Sequence, residues 1–119
     1  MKLAVVLFVV LVFATVDARF RVGGLGKLKH ATPAVQALAE ELRSDLAGAS
    51  GMNGFPEFTV ISFREQLVSG TNYFVKIKVD SDSYIHARLY VVPWEDTKEV
   101  TSVQINKDLD DPIEYFLLC

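Results

Sequence analysis

The chain has 119 residues, half of them hydrophobic, with a formal net charge of −3 and a single cysteine. That length suffices for one domain and is short for two. A mildly acidic chain without a basic stripe is a poor partner for nucleic acid or an anionic membrane. With Cys119 as the only cysteine no internal disulfide can form, so the core alone must hold the fold.

The first segment, MKLAVVLFVVLVFATVDA, has one early lysine, an apolar run from Leu3 to Ala14 and small residues near its end. This is the layout of a secretory signal peptide spanning residues 1–18, with Val16 and Ala18 before the cleavage point. The apolar run is shorter than the roughly 20 residues that span a bilayer, and no basic stop-transfer cluster follows it. The expectation is a secreted, extracellular protein whose single domain covers residues 19–119. Its net charge is unchanged by cleavage, because Lys2 and Asp17 leave together. No Asn-x-Ser/Thr sequon is present, so N-glycosylation is not expected.

Residues 19–31, RFRVGGLGKLKHA, contain three glycines and no sustained periodicity, and read as a flexible arm. Thr32 followed by Pro33 marks a helix start, a capping hydroxyl before a proline at the first helical position. Val35, Leu38, Leu42 and Leu46 recur at spacings of three and four beside Ala39. That predicts one amphipathic helix of roughly four turns, ending before Gly48. Gly48–Glu57, GASGMNGFPE, is a loop by composition.

Four extended segments follow: Phe58–Gln66, Thr71–Val79, Ser83–Val92 and Val100–Ile105. Turn signals at SGTN, DSDS and PWEDTK separate them. In the third, Ile85, Ala87, Leu89 and Val91 alternate with Tyr84, His86, Arg88 and Tyr90, which predicts one face on a helix and the other in water. A helix followed by a meander of strands implies an α+β fold, an antiparallel sheet packed on one helix.

No catalytic constellation emerges. A cysteine nucleophile would need Cys119 held beside His30 or His86, and a chain terminus is badly placed for that. Two histidines without cysteine ligands give no zinc signature. The acidic run from Asp108 to Glu114 lacks EF-hand spacing and reads as a solvated loop. The glycines near residue 24 do not follow a strand in a βαβ unit, so no phosphate cradle is expected. The sequence therefore predicts no enzyme, no metal and no cofactor.

The informative anomaly is apolar residues at turns. Leu67 and Val68 stand at the tip between the first two extended segments, and Pro93-Trp94 stand in the next turn but one. Alternate turns of a meander project from the same end, so the two tips should sit side by side. Either a partner buries them, or Trp94 folds back and Leu67-Val68 cap the core. Cys119 could also pair two chains, or could sit exposed on a loose tail.

Gln66-Leu67-Val68-Ser69-Gly70, followed by Thr71-Asn72-Tyr73-Phe74, resembles the Gln-Val-Val-Ala-Gly-Thr-Asn-Tyr signature of the cystatins, closest to the stefin branch. The stretch from Val22 through Ala31-Thr32-Pro33 resembles a stefin N-terminus, and Glu114–Phe116 a stefin C-terminus. The resemblance covers about Val22 to Phe116. It implies a cystatin-like fold, an antiparallel sheet wrapped around one long α-helix. It also implies a reversible, tight-binding inhibitor of papain-like cysteine proteases of the cathepsin L and B type. Three segments would enter the protease cleft: Val22, Gly23 and Gly24; Gln66, Leu67, Val68, Ser69 and Gly70; and Pro93 with Trp94. Ser69 stands where the family usually has alanine. Pro93-Trp94 and the signal segment resemble the secreted branch, whose cysteines are missing. Asn53 lies in the loop after the helix without the context of a legumain-binding asparagine. The alternative is a non-inhibitory binding or scaffold module on the same fold. The first hairpin is also a candidate hinge for a domain-swapped dimer.

Overall fold

The computed structural model describes residues 24–117; the signal segment, Val22, Gly23 and Cys119 lie outside the described residues. The described residues build five antiparallel strands in sequence order with two short helices packed on one face, an α+β architecture. They are β1 (Lys29–His30), α1 (Pro33–Glu41), α2 (Arg43–Ser50), β2 (Thr59–Val68), β3 (Gly70–Asp80), β4 (Ser83–Val92) and β5 (Thr97–Lys107).

The helix starts where Thr32 and Pro33 predict. Thr32 is extended, its Oγ1 accepts from the Val35 N–H at 3.2 Å, and Pro33 is the first helical residue. The expected single helix is kinked into two. Leu42 leaves helical geometry (φ −100°, ψ 13°) and its N–H is shared between the Leu38 and Ala39 carbonyls. The next turn resumes with Leu46 N–H on the Leu42 carbonyl at 2.8 Å, so the break costs little hydrogen bonding. The apolar stripe holds through the kink: Val35, Ala39, Leu42 and Leu46 are all buried.

The helix does not stop before Gly48. It continues to Ser50, and Gly51 closes it in the left-handed conformation at φ 76°. An interior glycine costs about 1 kcal/mol against alanine, which the anchored Leu46 side chain offsets. Gly51, and not Gly48, takes the left-handed backbone geometry of a helix C-terminal cap.

Strand edges also move outward from the sequence reading. β2 runs on through Leu67 and Val68, and β3 already begins at Gly70, so the first hairpin is tighter than SGTN suggests. β5 starts at Thr97, three residues earlier than predicted, because a single 3₁₀ turn at Pro93–Glu95 with Asp96 at φ 55° reverses the chain. Residues 24–31 are docked rather than loose. Gly26 N–H donates to the Glu65 carbonyl at 2.7 Å, Arg64 Nε returns a bond to the Gly26 carbonyl, and β1 pairs Lys29 with Phe63. Composition shows the glycines but not the open edge of β2, whose backbone groups recruit this segment.

One side of the sheet meets the helices, with Val75, Ile77, Val79, Ile85, Ala87 and Leu89 in the main core. The other side is not simply solvated as the alternation predicts. The C-terminal segment 108–117 crosses it as a strap. Phe74 is fully buried under Ile113 and Phe116, and Leu25 completes that second cluster. The strap has no strand or helix of its own, so its carbonyls need donors, and three cations of the sheet supply them. Lys76 Nζ donates to the Leu109 and Asp111 carbonyls, Arg64 to Ile113, and Arg88 to Phe116. The acidic run thus belongs to a packed strap, with Asp111 Oδ2 accepting from the Asp108 N–H at 2.8 Å.

Candidate functional site

The β2–β3 and β4–β5 turns project from one end of the sheet. Register fixes this: Thr71 of β3 pairs with Leu67 on one side and with Val91 on the other. Pro93 and Trp94 begin two residues after Val91, past Val92, while the β3–β4 turn at Asp80–Ser83 lies at the far end. Leu67 is 70% exposed and Trp94 69% exposed, and Pro93 and Ser69 are exposed beside them. The indole does not fold back onto the sheet. Of the two readings open in the sequence, the one with hydrated apolar tips describes this molecule.

The third segment comes to the same end. From His30 back to Gly24 the chain runs along β2 in the direction of Leu67, as the Lys29–Phe63 pair and the Gly26–Glu65 bond show. Gly24 is exposed there. Lys29 closes the edge with an ion pair to Glu65 at 2.7 Å.

Eight of the ten sequence-predicted site residues are among the described residues and divide by burial, Val22 and Gly23 lying outside them. Leu67, Ser69, Pro93, Trp94 and Gly24 present surface, and Val68 is half-buried. Gln66 and Gly70 are buried and present almost none. Their work is to shape the tip. Gln66 Oε1 accepts from Asn72 Nδ2 at 2.8 Å across the hairpin, a bond between two buried amides. Such groups left unpaired would cost about 1–3 kcal/mol each. Gly70 sits at φ 105°, and a Cβ there would lie 2.6 Å from the Val91 carbonyl oxygen and 2.9 Å from Val92 Cγ2. Glycine is required twice over, by the backbone and by the strand alongside.

Two residues of the site escape sequence reasoning. Asn72 lies inside the quoted motif but gains its role only through the cross-strand pair with Gln66. Tyr90 reads as a solvent-facing strand residue, yet its hydroxyl donates to the Ser69 carbonyl at the tip of the other hairpin. Period-two alternation could have placed both on a face, but not opposite these partners.

On the helix side behind the tips, Tyr73 packs 6.1 Å from the Phe63 ring. Burial first, and then the Glu65 carboxylate, push its phenol above the usual range, so it stays neutral. Lys98 of β5 meets Glu41 of α1 at 3.0 Å, tying the second hairpin to the helix. Among the described residues no group of histidine, cysteine and carboxylate side chains is placed to hold a metal ion.

A cystatin-domain family model matches residues 23–110. Cystatin-B of Bos taurus is 38% identical over 96 residues, covering 79% of this chain and 97% of its own length. Stefin-C of Bos taurus is 36% identical over 79% of this chain and 94% of its own length. Cystatin-A2 of Dictyostelium discoideum is 38% identical over 81% of this chain and 98% of its own length. The helices, the meander and both hairpin tips all lie within the matched residues 23–110, and the chain belongs to the cystatin family of cysteine-protease inhibitors.

Proposed function

We propose that this protein is a secreted, reversible, tight-binding inhibitor of papain-like cysteine proteases of the cathepsin L and B type. The observation that carries the reading is the pair of hydrated apolar tips, Leu67 and Trp94, at one end of a rigid sheet. Covering the exposed part of an indole at about 25 cal/mol per Å² gives about 3 kcal/mol, and Leu67 adds about 2 kcal/mol. A preformed edge loses little conformational freedom on docking, so less of that gain is offset by ordering.

In this reading the edge enters the protease cleft as three segments. Leu67 and Val68 fill one side of the cleft, and Trp94 beside Pro93 is an aromatic anchor of the kind that dominates interfaces. Gly24, Gly23 and Val22 occupy the other side. Gly23 has no side chain, so the arm passes the catalytic thiol closely and no scissile bond is presented. Ser69 is small enough to leave the tip unobstructed, while Gln66 and Gly70 set its shape from within. Residues 1–18 direct the chain to the extracellular space, where the core, without disulfides, holds it folded.

Active-site titration of papain with the chain beginning at Arg19 tests this. The expected result is inhibition at a near-stoichiometric ratio. Replacing Gly23 by tryptophan should weaken inhibition strongly while leaving the thermal midpoint in place. A folded protein that does not inhibit papain would instead establish the non-inhibitory binding module.

A further inference from the structure

The β3–β4 ladder joins the two hairpins as far as the Thr71–Val91 pair, and the tips reach beyond it. A side-chain contact ties them there. Tyr90, on β4 just before the second turn, extends its phenol across to the first hairpin and donates its hydroxyl to the backbone carbonyl of Ser69. The surroundings make this contact directional. Tyr90 pairs in register with Asn72, which braces Gln66 on the far side of the same hairpin. The Tyr90 ring also lies 3.4 Å from where a Cβ on Gly70 would stand, so the missing side chain at Gly70 leaves room for the ring. Ser69 itself is exposed at the tip, where a backbone carbonyl would otherwise be free to turn toward water.

We propose that the Tyr90 hydroxyl is a positioning group of the inhibitory edge, fixing the first hairpin tip to the strand that carries the second. It holds the two loops as one surface before the protease arrives. The proposal rests on the inhibitor reading above and adds a residue to it. Tyr90 acts through Ser69 rather than on the protease, so its effect should appear in how much of the free protein is competent to bind. When only a fraction is competent, apparent affinity falls by that fraction.

Tyr90→Phe removes the hydroxyl and keeps the ring. A hydrogen bond of ordinary net strength predicts inhibition of papain weaker by about fivefold to tenfold. The loss should fall on the association rate constant, with the dissociation rate constant and the thermal midpoint close to those of the parent protein. In the free variant, backbone amides of residues 68–71 should exchange with solvent faster than in the parent. Unchanged inhibition and unchanged exchange would overturn the proposal. So would a loss confined to the dissociation rate, which would mean that Tyr90 touches the protease directly. Amide exchange needs no protease, so it judges the tie between the hairpins even if the parent protein fails to inhibit papain.

Discussion

His86 lies at the centre of β4, fully buried, with both ring nitrogens lacking a hydrogen-bond partner among the described residues. It faces Lys76 across β3 and Gln104 across β5, with Lys107 near the end of β5 and Asp111 on the strap. Burial is the main reason its pKa falls from 6.5 to about 4; the Lys76 and Lys107 charges lower it further, and Asp111 opposes them. In the unfolded chain the imidazole takes up its proton near pH 6.5, whereas in the folded protein it resists until about pH 4. Between these values the unfolded state binds more protons, so stability falls as pH falls. The full contribution is present above the unfolded value and is lost across that window. A difference of this size corresponds to about 3 kcal/mol at the acid end. His86→Leu should abolish the dependence, because it removes the titrating group and leaves no unpaired nitrogen. Urea unfolding of both proteins at pH 7.5 and pH 4.5, read as the difference between them, isolates this residue from the carboxylates they share. The variant should gain on the parent by about 2–3 kcal/mol between the two conditions. A gap between the two proteins that stays constant with pH would refute the argument that the strap and the lysines hold His86 neutral.

Three other outcomes follow from the same contacts. Gly70→Ala should destabilise the protein by about 2–4 kcal/mol in urea unfolding, since the methyl meets the Val91 carbonyl and the backbone must leave φ 105°. Lys76→Met should leave the Leu109 and Asp111 carbonyls without their donor, lower stability by about 1–3 kcal/mol, and speed amide exchange across residues 108–113. It should also raise the pKa of His86, followed by NMR, because a repelling charge is gone. Trp94→Ala should weaken papain inhibition by about tenfold to a hundredfold at an unchanged thermal midpoint, because the indole is exposed in the free protein.

What the sequence made legible was whatever a local pattern can encode. Thr32-Pro33 places the helix start, the three-and-four spacing of Val35, Leu42 and Leu46 gives its buried stripe, and Ile85, Ala87 and Leu89 give the core face of β4. Even the adjacency of the two apolar tips follows from counting turns in a meander. What stayed hidden depends on partners far along the chain. The strap is invisible because KDLDDPIEYF has no period, and Arg88, which alternation turns to water, becomes one of its donors beside Arg64 and Lys76 only when its carbonyls are laid over them. Gln66 and Gly70 were marked by resemblance to the family, yet only coordinates separate them from Leu67, as shapers of the tip rather than its surface.

That separation has a consequence for how the molecule is built. The apolar groups proposed to meet a protease are exposed and contribute little to the core, so they can be optimised for a partner without weakening the fold. The groups that hold them in place, the Gln66–Asn72 pair, Gly70 and Tyr90, sit between the tips and the core and are not free to vary in the same way. Stability is concentrated farther back, where the helices cover one face and the strap covers the other at Phe74, Lys76 and His86. Substitutions at the tips should therefore shift affinity at constant stability, substitutions under the strap should shift stability at constant affinity, and in the layer between the buried Gln66–Asn72 pair and Gly70 should couple the two. Tyr90 is the residue on which that division can be tested most sharply, because removing one oxygen from it perturbs the geometry of the edge and neither of the surfaces it separates.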